Sequence, residues 1–140
     1  MAALGLSQVS FGQTVIHTNV PPEVEQANVA VVNEFCAAFA RRDLAKAASL
    51  LAENCTYRVN QTRPPIVGRD KVVEAIKGFI DRTIEFKVRK TAAFGPMVIN
   101  ERDDIFAMPG ANDRRSYRVA AGVFYLDKGR IAEWTDYVVD

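Results

Sequence analysis

An arginine and an aspartate occupy alternate positions in VINERDDIFAMPG, the segment from Val98 to Gly110. Side chains in a strand point alternately to its two faces, so Arg102 and Asp104 share one face. Their neighbours on that face are mostly apolar, namely Val98, Asn100, Phe106 and Met108. The segment RIAEWTDYVV repeats the pattern, because Asp136 shares a face with Ala132, Trp134 and Val138. The two strands therefore each direct a carboxylate toward the predicted interior.

An isolated buried carboxylate is costly, so these aspartates need a cationic partner. Arg102 is two residues from Asp104, and it also reaches Asp136 if the two strands are neighbours. Two carboxylates beside one guanidinium can share a proton, which leaves one as an acid and the other as a base. The alternative is a structural ion-pair network or a solvated polar face, because ion pairs also perturb pKa values without any function. The residues alone leave both interpretations open.

Composition narrows the class of protein. A chain of 140 residues with 49% hydrophobic and 25% charged residues suits one globular domain. The formal net charge of +1 does not indicate a partner such as nucleic acid or a membrane surface. Cys36 and Cys55 match neither a disulfide framework nor a metal cluster, and we interpret them as reduced core thiols. The single histidine, His17, cannot form a His-rich metal site.

We divide the chain into an N-terminal leader, residues 1–22, and a single α+β domain, residues 23–140. The leader has no basic n-region and no unbroken apolar core, so it does not resemble a signal peptide. No apolar run approaches the roughly 20 residues of a membrane span. We therefore predict a cytoplasmic protein whose leader is either loose or used for subunit packing.

Helices precede strands along the domain. The three segments with helical signals are PPEVEQANVAVVNEFCAAFARRD, LAKAASLLAEN after a capping Asp43, and GRDKVVEAIKGFIDRT. The segments with strand signals are CTYRVN, IEFKVRKTAAF, MVINERDDIFAM, RRSYRVAAGVFYL and RIAEWTDYVV. This order predicts a curved mixed β-sheet forming a cone, with the N-terminal helices packed over its concave face.

A concave apolar sheet face is a natural ligand pocket. The residues predicted to contact a substrate there are Phe106, Met108, Phe124, Trp134 and Val138. Aromatic residues and methionine on a sheet are also frequent in plain cores, and that alternative stays open.

Three segments carry a family resemblance, namely NERDDIFAMP, GVFYLDKGRIAEWTDY and PPIVGRDKV. The chain resembles limonene-1,2-epoxide hydrolase and its relatives, within the nuclear-transport-factor-like and polyketide-cyclase-like cone folds, from about Val24 to Tyr137. The family carries Arg-x-Asp on one strand, which Arg102 and Asp104 match. Its second aspartate lies in a Trp-x-Asp-Tyr context, which Asp136 matches.

The resemblance implies one-step hydrolysis of a small, largely apolar epoxide by water, without a metal or organic cofactor. Asp136 is then the base, Asp104 the acid, and Arg102 the bridge between them. The family also holds the water with a Tyr and an Asn, for which Tyr57 and Asn60 are the candidates. The family spacing is Tyr-x-Asn, whereas YRVN has one more residue, so we expect a β-bulge that returns Asn60 to the pocket.

Two other functional classes fit the same fold. One is an isomerase or cyclase that moves protons on a ligand without adding water, and the other is a non-catalytic ligand-binding module. The full set of Arg102, Asp104 and Asp136 favours hydrolysis over both.

The outer sheet face predicts a homodimer, because it carries too many apolar groups for solvent exposure. These groups are Ile99, Ile105, Val119, Val123, Tyr125, Ile131 and Tyr137. The resemblance implies the same dimer.

Overall fold

The structure, a computed structural model, describes residues 8–11, 14–17, 20–110 and 112–139. Within these residues the chain forms three helices and eight strands. The helices are α1 (Pro22–Ala40), α2 (Leu44–Ser49) and α3 (Arg69–Ile80). The strands are β1 (Gln8–Phe11), β2 (Thr14–His17), β3 (Leu51–Arg58), β4 (Ile66–Val67), β5 (Thr83–Phe94), β6 (Met97–Ala107), β7 (Arg114–Asp127) and β8 (Arg130–Val139).

Six of the strands form one curved, unclosed sheet in the order β4-β3-β8-β7-β6-β5. The pairing of β3 with β8 is parallel and the other pairings are antiparallel, so the sheet is mixed. The predicted α+β class and curved mixed sheet are confirmed. Strands β6 and β8 are not neighbours, because β7 lies between them, so the condition on which Arg102 was expected to reach Asp136 is not met.

The helices cover one face of this sheet. Helix α1 begins with proline, and its residues at helical spacing, Val32, Phe35 and Phe39, are fully buried. It packs on β5, β6 and β8, while α3 packs on β3. The core between the layers contains aromatic edge-to-face and stacked pairs around Phe35, Phe39 and Trp134. Cys36 and Cys55 are free thiols in this core, as predicted.

The second helix is shorter than predicted. The Asp43 side chain caps it by accepting a hydrogen bond from the Lys46 amide, but the helix ends at Ser49. Residues 51–54 belong to β3 instead, because Leu51 pairs with Ile131 of β8 and the Leu50 carbonyl accepts a bond from the Ile131 amide. Pairing with a distant strand overrides the local helical preference of this segment.

Two features were not predicted. Residues 66 and 67 form the short edge strand β4, which pairs with β3. In the leader, β1 and β2 form an antiparallel pair that is separate from the six-stranded sheet. The division of the chain at residue 22 stays a prediction.

Extra residues interrupt the register of four strands: single residues in β5, β7 and β8, and several residues in β3 between Leu51 and Thr56, where it pairs with β8. Arg89 is inserted in β5 between the pairs that Val88 and Lys90 make with β6. Ala120 is inserted in β7 between Val119 and Ala121, and Ala132 in β8 between Ile131 and Glu133. A bulge reverses the alternation of side chains beyond it.

Because of these bulges, two residues predicted for the outer face lie on the inner face. Val119 and Ile131 were placed on the outer face by strict alternation, but the structure buries both on the inner side. The bulges at Ala120 and Ala132 are the reason. Tyr125 and Tyr137 stay on the exposed side, with 40% and 46% of their surface accessible.

Among the described residues, no helix has the length and apolar character needed to cross a membrane.

Candidate functional site

Arg102 lies between the two aspartates that the sequence singled out. Its Nε donates to Asp104 Oδ1 at 2.7 Å, and its Nη2 donates to Asp104 Oδ2 at 3.2 Å. The same Nη2 donates to Asp136 Oδ2 at 2.7 Å. All three residues are buried, and the arginine has no accessible surface. The cluster is therefore one cation shared by two carboxylates in a place from which water is largely excluded.

The guanidinium reaches Asp136 by crossing the intervening strand β7 at a glycine. Asn100, Gly122 and Asp136 lie in one row across β6, β7 and β8. A Cβ atom at Gly122 would lie 2.0 Å from Arg102 Nη1 and 2.7 Å from Asn100 Oδ1. Gly122 leaves the space that the arginine occupies. Gly122 was not among the site residues predicted from the sequence, although a glycine inside the strand pattern AAGVFYL signals a close approach.

Aromatic rings surround the guanidinium where its hydrogen-bond partners do not. Its central carbon lies 4.9 Å from the ring centroid of Phe86, 5.9 Å from that of Phe124 and 6.0 Å from that of Trp134. Such contacts favour a cation that has lost its water. They explain how the fold tolerates a fully buried arginine beside an apolar core.

Trp134 also fixes the orientation of Asp136. The two residues are separated by one position on β8, and Trp134 Nε1 donates to Asp136 Oδ1 at 2.7 Å. Tyr57 of β3 stacks on the indole ring of Trp134, with ring centroids 4.0 Å apart and an angle of 19° between the ring planes. Asp136 thus accepts a bond from a different donor on each of its two oxygens.

Burial and mutual repulsion alter the pKa values of this cluster. Burial raises the pKa of Asp104 to about 7, against the attraction of Arg102 and with a further contribution from the Asp136 charge. Burial also raises the pKa of Asp136, opposed by Arg102 and by the Trp134 hydrogen bond. Burial disfavours the charge on Arg102, but the two carboxylates outweigh it and raise its pKa. One positive charge cannot neutralise two buried carboxylates, so one of the pair retains a proton near neutral pH.

A cavity of about 420 Å³ opens onto the two aspartates. Among the residues predicted for the site, those that line it are Tyr57, Asn60, Asp104, Phe106, Met108, Trp134, Asp136 and Val138. The lining residues that our sequence analysis missed as site residues are Val59, Phe79, Arg82, Phe86, Tyr117 and Val119. Phe79 and Phe86 lie on the apolar faces of α3 and β5, a signal that indicated core and not pocket.

Two predicted site residues do not line the cavity. Phe124 was expected to contact substrate, but it is fully buried and stacks on Trp134, with ring centroids 5.9 Å apart. Its position on β7 beyond the bulge places it beneath the guanidinium, in the core. Arg102 is likewise behind the carboxylates, so its contact with the cavity is through Asp104 and Asp136.

The extra residue in YRVN is accommodated by a turn, and the expected β-bulge is absent from this segment. Strand β3 ends at Arg58, and the Asn60 side-chain oxygen accepts bonds from Thr62 N at 3.0 Å and Thr62 Oγ1 at 2.8 Å. Gln61 anchors the turn, because its amide donates to the Val138 carbonyl at 2.9 Å and accepts from the Val138 amide at 3.0 Å. Asn60 therefore reaches the cavity wall with its side-chain oxygen already engaged.

Asp104 and Asp136 are the two acidic residues that line this cavity. In the described part of the chain, no group of three or more His, Cys, Asp or Glu side chains is arranged as ligands for an ion.

Comparisons with known proteins identify the family of the chain and structures of similar fold. The sequence model for the limonene-1,2-epoxide hydrolase catalytic domain matches residues 26–140. A solved structure of an LEH-like epoxide hydrolase from M. tuberculosis is similar, with 27% identity, a TM-score of 0.74, and coverage of 84% of this chain and 86% of that chain.

Two further similar structures share the fold at lower identity. One is a candidate ketosteroid isomerase from Kribbella flavida, with 18% identity, a TM-score of 0.68, and coverage of 83% of this chain and 80% of that chain. The other is a candidate polyketide cyclase from Xanthomonas campestris pv. campestris, with 21% identity, a TM-score of 0.62, and coverage of 81% and 90%. The cone architecture is thus shared with proteins of other described activities. With its family match spanning residues 26–140, the chain belongs to the limonene-1,2-epoxide hydrolase family.

Proposed function

We propose that this protein hydrolyses a small, largely apolar epoxide to a vicinal diol in one step, with water as the nucleophile. The observation that carries the proposal is the guanidinium of Arg102 held between two buried carboxylates that both face one cavity. An epoxide has a strained ring but a poor alkoxide leaving group, so it needs a proton donor on oxygen and an activated water on carbon. One aspartate can donate the proton, and the other can activate the water.

Asp136 is the base in this proposal. Its two oxygens accept bonds from Arg102 and from Trp134, and both donors favour the ionised form. Tyr57 and Asn60 line the same cavity and are proposed to hold the water. Because Asn60 Oδ1 accepts from Thr62, the amide group of Asn60 offers the water its Nδ2 donor. This role of Asn60 is narrower than the one the family resemblance implies.

Asp104 is the acid. With its pKa raised to about 7 by burial, a large fraction of Asp104 is protonated near neutral pH and can donate that proton to the epoxide oxygen. The water oxygen forms a bond to one ring carbon as the C–O bond of that carbon breaks. Asp136 takes a proton from the water, and Asp104 protonates the departing oxygen. Turnover is completed when the proton on Asp136 is lost and Asp104 is reprotonated.

The cavity is suited to a neutral ligand of modest size. Its walls are mostly apolar, with Phe106, Met108 and Val138 on the sheet side and Phe79 from α3. At about 420 Å³ it falls within the usual range for small-molecule sites. We propose that catalysis uses no metal or organic cofactor, because the acid and the base are both side chains of the protein.

The main alternative is an isomerase or cyclase that uses the same acid and base to move protons on a ligand. A non-catalytic ligand-binding module is the second alternative. A binding module needs no buried acid–base pair, so the two carboxylates that share one arginine disfavour the second alternative. An isomerase uses such a pair as well, and the match to the limonene-1,2-epoxide hydrolase domain over residues 26–140 favours hydrolysis over it.

Incubation with a panel of cyclic and terminal epoxides in ¹⁸O-water tests the proposal. We expect a diol with a single ¹⁸O label, and no label in the protein after a single turnover, since no enzyme ester forms. The Asp136→Asn variant is the matched inactive control. Absence of diol across the panel, together with proton exchange on a ketone ligand, would instead assign the protein to the isomerase class.

We also propose a homodimer through the outer face of the sheet. Tyr125 and Tyr137 are exposed there, beside the half-buried Ile99, Ile105 and Val123. An apolar patch on a sheet usually marks an interface, and two-fold pairing is the commonest way to bury it. Light scattering at micromolar concentration is expected to give about twice the 15.5 kDa of one chain. A mass near that of one chain contradicts the pairing.

A further inference from the structure

The side of Arg102 that faces away from the cavity is held by a residue that the proposed chemistry does not use. Arg102 Nη1 donates to Asn100 Oδ1 at 2.9 Å. Asn100 Nδ2 in turn contacts the Sγ of Cys36, on α1, at 3.5 Å. Asn100 is 1% exposed and does not line the cavity. A guanidinium only donates hydrogen bonds, so the amide oxygen must face it.

This arrangement uses the three parts of the guanidinium separately. The Nε side binds Asp104, Nη2 bridges Asp104 and Asp136, and Nη1 binds Asn100. Rotation of the planar guanidinium about its long axis would break the bond to Asn100 together with the bonds to both carboxylates, so the Asn100 bond opposes that rotation. The bond to Asn100 therefore helps to define where the other two donors point.

The wall behind the arginine is also electrically neutral. It consists of the amide of Asn100, the backbone of Gly122 and the thiol of Cys36. Burial raises the pKa of that thiol to about 11, so it stays uncharged. The titratable groups that face the pair are Asp104 and Arg102 from β6, Asp136 from β8, Tyr57 from β3 and Cys36 from α1. Near neutral pH the charges of the cluster are thus confined to Arg102 and the two aspartates.

We propose that Asn100 is a positioning residue of the acid–base pair, which holds Arg102 with a neutral acceptor so that the pair keeps a single proton. A carboxylate at this position would hold the arginine equally well, but it would add a third negative charge and favour protonation of both aspartates. An apolar residue would leave the net charge of the cluster unchanged, but it could not accept the hydrogen bond from Arg102. The inference rests on the proposed function only for its kinetic readout.

Two variants separate these contributions. Asn100→Leu has a similar volume and no acceptor, whereas Asn100→Asp keeps the oxygen and adds a charge. Glu101→Gln is the control, because it is the next residue, faces the outer side and also changes the net charge by one unit. For each protein, the ¹³C signals of the Asp104 and Asp136 carboxyl groups are titrated by NMR, with assignments from the Asp→Asn variants. Values of kcat and KM are measured from pH 5 to 9 with an epoxide that the wild type turns over.

We expect Asn100→Asp to raise the titration midpoint of Asp104 by about one unit or more, as a nearby like charge does. The acid limb of its rate profile should move to higher pH in the same direction, because Asp136 must be ionised. Asn100→Leu is expected to lower kcat about tenfold or more, the usual scale for a misplaced catalytic group, with little change in KM. Glu101→Gln should match the wild type in both measurements.

Carboxyl titrations that match the wild type in both Asn100 variants would overturn the inference, as would an unchanged kcat in a folded Asn100→Leu protein. If Asn100→Leu does not fold, Asn100→Asp decides alone, since its oxygen is retained. If the wild type hydrolyses no epoxide but the titrations shift as expected, the positioning role stands and the proposed function fails.

Discussion

On each side of strand β6 an arginine lies between two carboxylates, and the two clusters shift the pKa values of adjacent aspartates in opposite directions. On the inner face Arg102 bridges Asp104 and Asp136, with side chains that are 0%, 9% and 5% exposed. On the outer face Arg118 of β7 bridges Glu101 at 2.6 Å and Asp103 at 2.8 Å, and its side chain is 39% exposed. Three of the four carboxylates lie within the single segment Glu101–Asp104, and only Asp136 comes from another strand.

The two clusters differ in the exposure of their arginines and in the number of arginines for each carboxylate, because Asp103 is itself nearly as buried as Asp104. Asp103 accepts a second arginine, Arg89, whose Nε donates to it at 2.9 Å. The Arg89 hydrogen bond, followed by the attraction of Arg118, lowers the pKa of Asp103. Asp104, one residue further on, has its pKa raised to about 7 by burial. Asp103 and Asp104 thus differ in protonation because Asp103 is paired with two partly exposed arginines, whereas Asp104 shares one fully buried arginine with Asp136.

The largest expected effect is on activity, when either inner carboxylate is neutralised. Asp136→Asn and Asp104→Asn should each reduce diol formation by about 100-fold or more, the usual contribution of a proton-transfer group. Asp103→Asn is the control on the outer face and should retain most of the wild-type rate. Steady-state kinetics with circular dichroism to verify folding makes the measurement. If an inner variant keeps more than about a tenth of the wild-type rate, its assigned role is wrong.

The second comparison exchanges the two arginines for lysine. Arg102→Lys should abolish activity and destabilise the protein by about 3–5 kcal/mol, because an ammonium cannot bridge two carboxylates and leaves a buried charge unpaired. Arg118→Lys should cost no more than about 1 kcal/mol, as expected for exposed pairs. Urea denaturation gives both free energies of unfolding. Equal costs at the two positions would mean that burial does not distinguish the clusters.

The third prediction concerns Gly122 of β7, whose missing side chain leaves room for Arg102. Gly122→Ala places a Cβ atom about where Arg102 Nη1 lies, so the guanidinium must move or the strands must separate. We expect a loss of about 1–3 kcal/mol in stability, typical of overpacking, together with loss of activity. Gly78→Ala is the matched control, because a Cβ there meets nothing within 4 Å. In the helix α3 that substitution should stabilise the protein by about 0.5–1 kcal/mol.

The smallest effect is the dependence of stability on pH. The pKa of Asp104 is raised from its ordinary value of roughly 3.9 to about 7 on folding, so folding favours its protonated form. Its contribution is full below about pH 4 and is lost as the pH rises through about 7. Asp103 has the opposite sign, because its contribution is present above about pH 4 and is lost as the pH falls through its lowered pKa.

Denaturation midpoints from pH 3 to 9 test this sign. Asp104→Asn should flatten the decline in stability between about pH 4 and pH 7. Asp103→Asn should alter only the acid side of the curve. If the stability of the wild type increases over this pH range relative to that of the Asp104→Asn variant, the raised pKa of Asp104 is contradicted.

The sequence by itself determined the helices apart from the end of the second, the long strands after the third helix, and which residues lie on each face of β6. Alternation is a local property of an extended backbone, so Asn100, Arg102 and Asp104 share a face wherever β6 lies. The pairing of Trp134 with Asp136 follows from the same period on β8. Family motifs at these positions added the roles that alternation alone left open.

Only the tertiary structure decided how these residues meet. The order of strands places β7 between β6 and β8, so the contact of Arg102 with Asp136 depends on the missing side chain of Gly122. Bulges decided that Val119 faces the cavity, and pairing with β8 drew residues 51–54 out of a predicted helix. The raised pKa of Asp104 belongs to this level as well. Its cause is burial beside a second carboxylate that lies 32 positions away in the chain, which no local pattern encodes.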